Sequence, residues 1–502
     1  MPTALARPFS IAVLAAAGGL AGVVGFTASA GIRDEMTIAS VVGVLAAAGT
    51  TAALARRPGF AALVARPPRL PRALFVVGSL AVAAQLAWLA PFIIDPSRGS
   101  WTSSPLSPMP PAHSCVSAYW LAGRVVTATP DVYDERLYNL PQSDPTAIRN
   151  PRKLGRLNID NYEYPPPFLI VPRILGLLTP DFWGFRRLWF ALNLGFVVLV
   201  SVLVARRLDD RLGTHALWLT PFVIAGPAII ATFQAGNVQM AMIALAALAM
   251  YCIDRRAHAL GGFLLAFAIL GKLYPGVFVV YLLLRREWRA VAWTAAFATA
   301  LIAISIADVG LEPYRAFLRE MPGLMSGEAF SAFRNPANIA NNGSVPGLVF
   351  KLKMWGVPHM DFQAMRVAGW IYTLVVIGGA TWLARRARPE GREPVIWLVI
   401  LVLATMRSPF MATYAFFPAM WLAALVAPLG WRASRTGLPV LLCWCLLALG
   451  FGASGIPPAW NALWTTAQTG LTFALLIGTC RALAPSAAMT TRPSPTEAAV
   501  PA

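Results

Sequence analysis

Apolar runs long enough to cross a bilayer recur along nearly the whole chain, and no other feature limits its fold as tightly. A spanning helix needs about 20 consecutive apolar residues, because lipid offers no water to the backbone and every amide and carbonyl must bond within the segment. Such runs lie at 9–30, 37–55, 72–94, 187–205, 214–232, 237–253, 288–308, 366–384, 409–427, 438–455 and 462–480. Shorter ones at 259–271, 274–284 and 394–406 suit short or broken spans. The expectation is an all-α polytopic membrane protein with about 14 transmembrane helices, roughly 12–16. The first run reads as a retained span, since a second follows almost at once.

The chain carries a formal charge of +19, which in a soluble protein would point to nucleic acid. Here 57% of the residues are hydrophobic and 13% charged, against about 25% charged in soluble domains. Nucleic acid is therefore set aside as a partner in favour of membrane lipids. Lys and Arg favour short cytoplasmic loops. Arg56, Arg57, Arg66, Arg69 and Arg72, with no acid among them, place the loop after the second run inside. Alternation then puts Arg206/Arg207, Arg255/Arg256, Arg285/Arg286/Arg289, Arg385/Arg386/Arg388 and Arg432/Arg435 inside too, with both termini cytoplasmic. The excess is thus an orientation signal at an anionic inner leaflet, and the Arg and Ala bias suggests a bacterial plasma membrane.

Two long segments, 95–186 and 309–365, fall outside. The first ends in an apolar stretch, 168–178, too short to span and read as a helix in the outer interface. The chain divides into 1–71, two additional spans and a basic loop; 72–430, a core with the outer segments; 431–484, C-terminal spans; and 485–502, an Ala/Ser/Thr/Pro-rich tail read as disordered.

Lys272 is one of four lysines against 37 arginines and lies in Leu270-Gly271-Lys272-Leu273-Tyr274-Pro275, between two short apolar runs. An ionisable residue within the membrane is costly and marks a functional site by default. The proline breaks the helix, so the ammonium would face a polar cavity and suit a phosphate; a snorkelling helix-end lysine is the plainer reading. Phe233-Gln234-Ala235-Gly236-Asn237-Val238-Gln239 sets three amides round a glycine, fit for sugar hydroxyls or for helix packing. Arg407, before Ser408-Pro409, is a second outer cation or a helix cap. Asn335, Asn338, Asn341 and Asn342 read as turn chemistry, and Gly18-x-x-x-Gly22 as helix packing.

A general base needs one carboxylate or imidazole within reach of the acceptor. The outer candidates are Asp95, His113, Asp160 and Glu163, with Asp134-Glu135 more like a solvated loop. The five cysteines lie mostly in apolar runs, so neither a disulfide framework nor a zinc site is expected. There is no P-loop, H-E-x-x-H, G-x-S-x-G or D-x-D motif.

Together these residues resemble glycosyltransferase family 87, the polyprenyl-phosphate-sugar-dependent membrane transferases of the C-superfamily fold. The matching pieces are Ala118-Tyr119-Trp120-Leu121-Ala122, Leu137-Tyr138, Tyr164-Pro165-Pro166, the amide turn 236–239, Ala259 through Pro275 with its Gly-Lys-x-x-Pro ending, and Ser408-Pro409 with Tyr414. The resemblance implies transfer of a hexose, often mannose, from a polyprenyl-phosphate donor to a lipid- or glycan-linked acceptor on the outer face, without metal or cofactor. Lys272 and Arg407 would hold the donor phosphate, with Tyr119, Tyr164, Gln234, Asn237, Gln239 and Tyr274 lining the substrate site. Three departures stand out. Cys115, preceded by His113-Ser114, occupies the position where the family usually carries Asp. The family's Gly-Gln-x-Asn appears as Gly236-Asn237-Val238-Gln239. The late His pair is absent, with Thr413-Tyr414 near its place. The base is therefore not transferable residue by residue. A lipid or polysaccharide transporter would need a similar polar cavity, but would yield no covalent product.

Overall fold

The structure, a computed structural model, describes residues 6–58, 60–65, 69–95, 112–141, 149–208, 210–386, 391–431, 446–447 and 456–483. The expected tail 485–502 and all but two residues of the run 438–455 lie outside the described residues.

Apolar runs become helices almost wherever they are described. The N-terminal group is α1 (Ala6–Arg33), α2 (Met36–Ala55), α3 (Phe60–Ala65) and α4 (Arg69–Ile94). A first outer segment holds β1 (His113–Ser114), α5 (Cys115–Val125), β2 (Lys153–Leu154), β3 (Leu157–Ile159) and α6 (Ile170–Leu178). Then follow α7 (Phe182–Arg207), α8 (Asp210–Ile224), α9 (Pro227–Ala235), α10 (Gln239–Asp254), α11 (His258–Gly271), α12 (Val277–Leu284) and α13 (Trp288–Val309). A second outer segment carries α14 (Glu312–Ser326), α15 (Pro336–Ala340) and α16 (Leu348–Met354), and α17 (Phe362–Arg385), α18 (Glu393–Thr405), α19 (Phe417–Trp431) and α20 (Pro458–Ala482) complete the fold.

Six helices among the described residues are long and apolar enough to cross a membrane, or seven if α9 and α10 count as one broken span bent by 116°. The run 214–232, expected as one span, is instead divided: α8 stops at Ile224 and Pro227 opens α9. Proline suits a first helical turn, where its missing N–H costs nothing, and disrupts an interior. The all-α expectation is amended by a small sheet in order β1-β3-β2, with β1 and β3 parallel.

The helices sort into a dry centre and a lipid-facing rim. α10 and α18 bury most of their side chains, while Leu45, Leu374 and Ile371 of α2 and α17 are exposed to what would be lipid. Lipid is as apolar as leucine, so close backbone approach rather than apolar burial drives such helices together. α1 and α2 do this through small residues: a Cβ on Gly22 would stand 3.2 Å from the Gly43 carbonyl oxygen.

Polar contacts fasten the ends of the helices to one another. At one end Arg207 reaches Asp254 and Glu393, and Arg285 donates to the Ala384 carbonyl. At the other, the loop 341–347 binds the Arg407 segment, with Gly343 N donating to Met411 O at 2.8 Å and Val345 N to Met406 O at 3.0 Å. That second end carries the polar cluster described next.

Candidate active site

The cluster is assembled from segments far apart in sequence. The parallel register pairs His113 with Asn158 and Ser114 with Ile159, so one step further Cys115 stands beside Asp160. His113 and Cys115, two residues apart in extended chain, share a face. His113 Nε2 lies 3.1 Å from Cys115 Sγ and 3.8 Å from Asp160 Oδ2, and ligand-type atoms of all three fall within 4.8 Å of one another. Arg149 donates to Asp160 Oδ1 at 3.0 Å, and the Asn161 amide to the same oxygen at 3.2 Å. Burial pushes the Cys115 thiol up, with the Asp160 charge adding to the effect.

The amide turn closes over this trio. Asn237 Nδ2 donates to Cys115 Sγ at 3.3 Å, and Asn237 Oδ1 accepts from Gln239 N at 2.8 Å. The turn requires Gly236, whose φ is 70° and whose added Cβ would lie 2.9 Å from Val116 Cβ. Trp189 Nε1 fastens the Gly236 carbonyl at 2.9 Å. Val238 N donates to the Tyr119 hydroxyl at 3.2 Å, and that hydroxyl is 2.9 Å from the Tyr164 hydroxyl. Tyr133 in turn donates to the Tyr164 carbonyl at 2.7 Å.

Lys272 enters from the break between α11 and α12. Its backbone is extended after Gly271, and its ammonium lies 5.1 Å from the centre of the Tyr164 ring. The half-buried Glu163 is within reach of its field. Burial pushes the Glu163 carboxyl up to about 8; Asp160 adds to the rise, while Lys272 and Arg149 oppose it.

His113, Asp160, Glu163, Tyr119, Tyr164, Asn237, Gln239 and Lys272 therefore meet in one neighbourhood. Gln234 is buried near the end of α9, and Tyr274 lies half-buried in the turn after Lys272. Arg407 is tied to α17: its Nε donates to Thr373 Oγ1 at 2.6 Å and its guanidinium packs on Gly369. Asp95 follows the end of α4, beside the carbonyls of Phe92, Ile93 and Ile94 that bind Arg186 and Arg187. The Asn-rich stretch performs turn chemistry, Asn335 capping α15 through Ala337 N at 2.9 Å. The sequence marks Cys115 only as a departure from the family's Asp and gives no sign of Arg149, which the fold brings to Asp160.

The family model for glycosyltransferase family 87 matches residues 162–409. Over that stretch the chain belongs to glycosyltransferase family 87. No curated protein and no solved structure matches it. The family 87 stretch takes in Glu163, Tyr164, Gln234, Asn237, Gln239, Lys272, Tyr274 and Arg407, and leaves Asp95, His113, Tyr119 and Asp160 outside. A family 87 protein is a membrane glycosyltransferase, which accounts for a polar cluster at one end of an apolar helix bundle.

Proposed function

We propose that the protein transfers a hexose, of which mannose is one, from a polyprenyl-phosphate donor to a lipid- or glycan-linked acceptor at the outer face of a bacterial plasma membrane. In this reading the chain has about 14 spans, a C-superfamily fold and both termini in the cytoplasm. One observation carries the proposal: Lys272, raised on a broken helix, stands over Tyr164 with Glu163 beside it.

The chemistry follows from what each group offers. The Lys272 ammonium would neutralise the charge that grows on the phosphate oxygen as its bond to the anomeric carbon breaks. The acceptor hydroxyl oxygen forms the new bond to that carbon and passes its proton to the Glu163 carboxylate, and polyprenyl phosphate leaves. Glu163 is preferred to Asp160 as base because Arg149 occupies one Asp160 oxygen, whereas burial makes the Glu163 carboxylate basic. Tyr119, Tyr164, Asn237 and Gln239 would orient the sugar. The test is transfer of labelled hexose from synthetic polyprenyl-phosphate hexose by purified protein, with Lys272→Ala and Glu163→Gln beside the wild type. Loss of product in both variants is expected; wild-type rates in Lys272→Ala would remove the phosphate role. Movement of lipid across proteoliposomes with no glycosylated product would favour a transporter.

A further inference from the structure

We propose that His113, Cys115 and Asp160 form a binding site for a divalent ion of the zinc class, with one coordination position left open. The inference stands on the geometry of these side chains and does not depend on the transfer reaction. It also departs from the expectation of no zinc site, since Cys115 opens an outer helix instead of lying within a span.

A histidine that relays a proton needs its two partners on different ring nitrogens. Here Cys115 Sγ and Asp160 Oδ2 both face the same nitrogen, Nε2, at 3.1 Å and 3.8 Å. Three lone-pair donors turned toward one point are what an ion requires. A tetrahedral zinc ion, with ligands at about 2.0–2.3 Å, holds them about 3.5 Å from one another, a separation that lies between the two distances found.

Metal ligands are oriented by hydrogen bonds from an outer layer. Arg149 and the Asn161 amide occupy Asp160 Oδ1, leaving Oδ2 to face His113. Asn237 Nδ2 donates to Cys115 Sγ, a contact that favours thiolate, and is itself fixed by Gln239 N. A thiolate and a carboxylate balance a divalent ion, so the filled site is neutral beside Lys272 and Arg149. Thiolate with imidazole selects zinc or cobalt over magnesium or calcium. On binding, Cys115 gives one proton to solvent and its sulfur forms the bond to the ion.

Cobalt(II) is the probe. In the full-length protein, Cys252, Cys443, Cys445 and Cys480 are changed to serine so that Cys115 is the one thiol, the protein is stripped with chelator, and cobalt(II) chloride is titrated in. The expected result is one cobalt per chain with a thiolate-to-cobalt charge-transfer band in the near ultraviolet. Cys115→Ser abolishes the band, and Asn237→Ala weakens binding about tenfold. Absence of the band, or a band that survives Cys115→Ser, overturns the site. Thermal unfolding gives a second readout in the wild-type chain: zinc chloride raises the melting temperature of wild type and fails to do so in the isosteric Asp160→Asn. An equal rise in both overturns the proposal.

Discussion

The Lys272 ammonium stands 5.1 Å from the centre of the Tyr164 ring. An aromatic face steadies a lysine without neutralising it and leaves its charge to act on an incoming anion. Such an interaction is worth about 0.5–2 kcal/mol, more as water is excluded. Tyr164 is itself held at both ends, by the Tyr119 hydroxyl and by Tyr133 on its carbonyl. The Glu-Tyr-Pro turn and the break after α11 thus form one device.

Separating the ring from the hydroxyl tests that device. Tyr164→Phe keeps the face over Lys272 and loses one hydrogen bond of about 1 kcal/mol, so KM for polyprenyl-phosphate hexose should change little. Tyr164→Leu removes the face and should raise that KM about 2- to 30-fold. Lys272→Ala removes a charge-assisted contact of about 1.5–3 kcal/mol, or about 10- to 150-fold. Steady-state kinetics on the purified variants reads all three, and equal effects of Tyr164→Phe and Tyr164→Leu would detach the ring from Lys272.

Glu163 sets the expected pH dependence. Its carboxyl titrates near 8 instead of its usual 4.5, so below pH 8 it is mostly protonated and unable to accept a proton. The transfer rate should rise with pH through about 8 and then level, and Glu163→Gln should lose that limb along with most of the rate. Stability runs the other way. The folded state holds the proton more tightly than the unfolded chain, so stability contributed by protonated Glu163 is complete below about 4.5 and is lost as pH rises through about 8. A rate independent of pH across 6–9 would dismiss Glu163 as the base.

Helices were legible because their signal is local. Twenty apolar residues in a row announce themselves, and runs such as 9–30 and 288–308 fall within α1 and α13. The break at Ala225-Gly226-Pro227 was written in the sequence as well, yet the hydropathy of 214–232 hides it. What the sequence conceals is pairing at long range. Asp160 reaches Cys115 because β3 runs parallel to β1, and no periodicity in residues 113–115 or 157–160 reveals that register. Arg407 is a related case: only packing decides that its guanidinium turns to Thr373.

Gly236 links the amide turn to α5. Its φ of 70° disfavours any side chain, and a Cβ there would press on Val116 at 2.9 Å. Gly236→Ala should therefore cost about 1–2 kcal/mol for the left-handed backbone alone, with more from the contact. The displaced turn should also loosen Val238 N from Tyr119 and Asn237 from Cys115. Thermal unfolding in detergent should show a lower melting temperature, and transfer activity should fall by more than the folded fraction does. An unchanged melting temperature would contradict the strain.

Arg186 and Arg187, on adjacent positions in the first turns of α7, tie down the ends of two other helices. Arg186 donates to the carbonyls of Phe92 and Ile93, and its guanidinium lies 4.4 Å from the centre of the Phe92 ring. Arg187 donates to Ala30 O at 3.2 Å and Ile94 O at 3.1 Å and pairs with Asp34. The last carbonyls of a helix have no partner within it and carry the negative end of its dipole, so these two cations satisfy the ends of α1 and α4 at once. Removing one leaves buried carbonyls unpaired, at about 1–3 kcal/mol each. Arg187→Met should melt well below wild type, whereas Asp34→Asn should melt nearly with it, because Asp34 is half exposed and water replaces its partner. The chemistry sits elsewhere, so KM for the donor in the folded fraction of Arg187→Met should stay at the wild-type value. A fall in activity without a fall in melting temperature would instead place Arg187 in the substrate site.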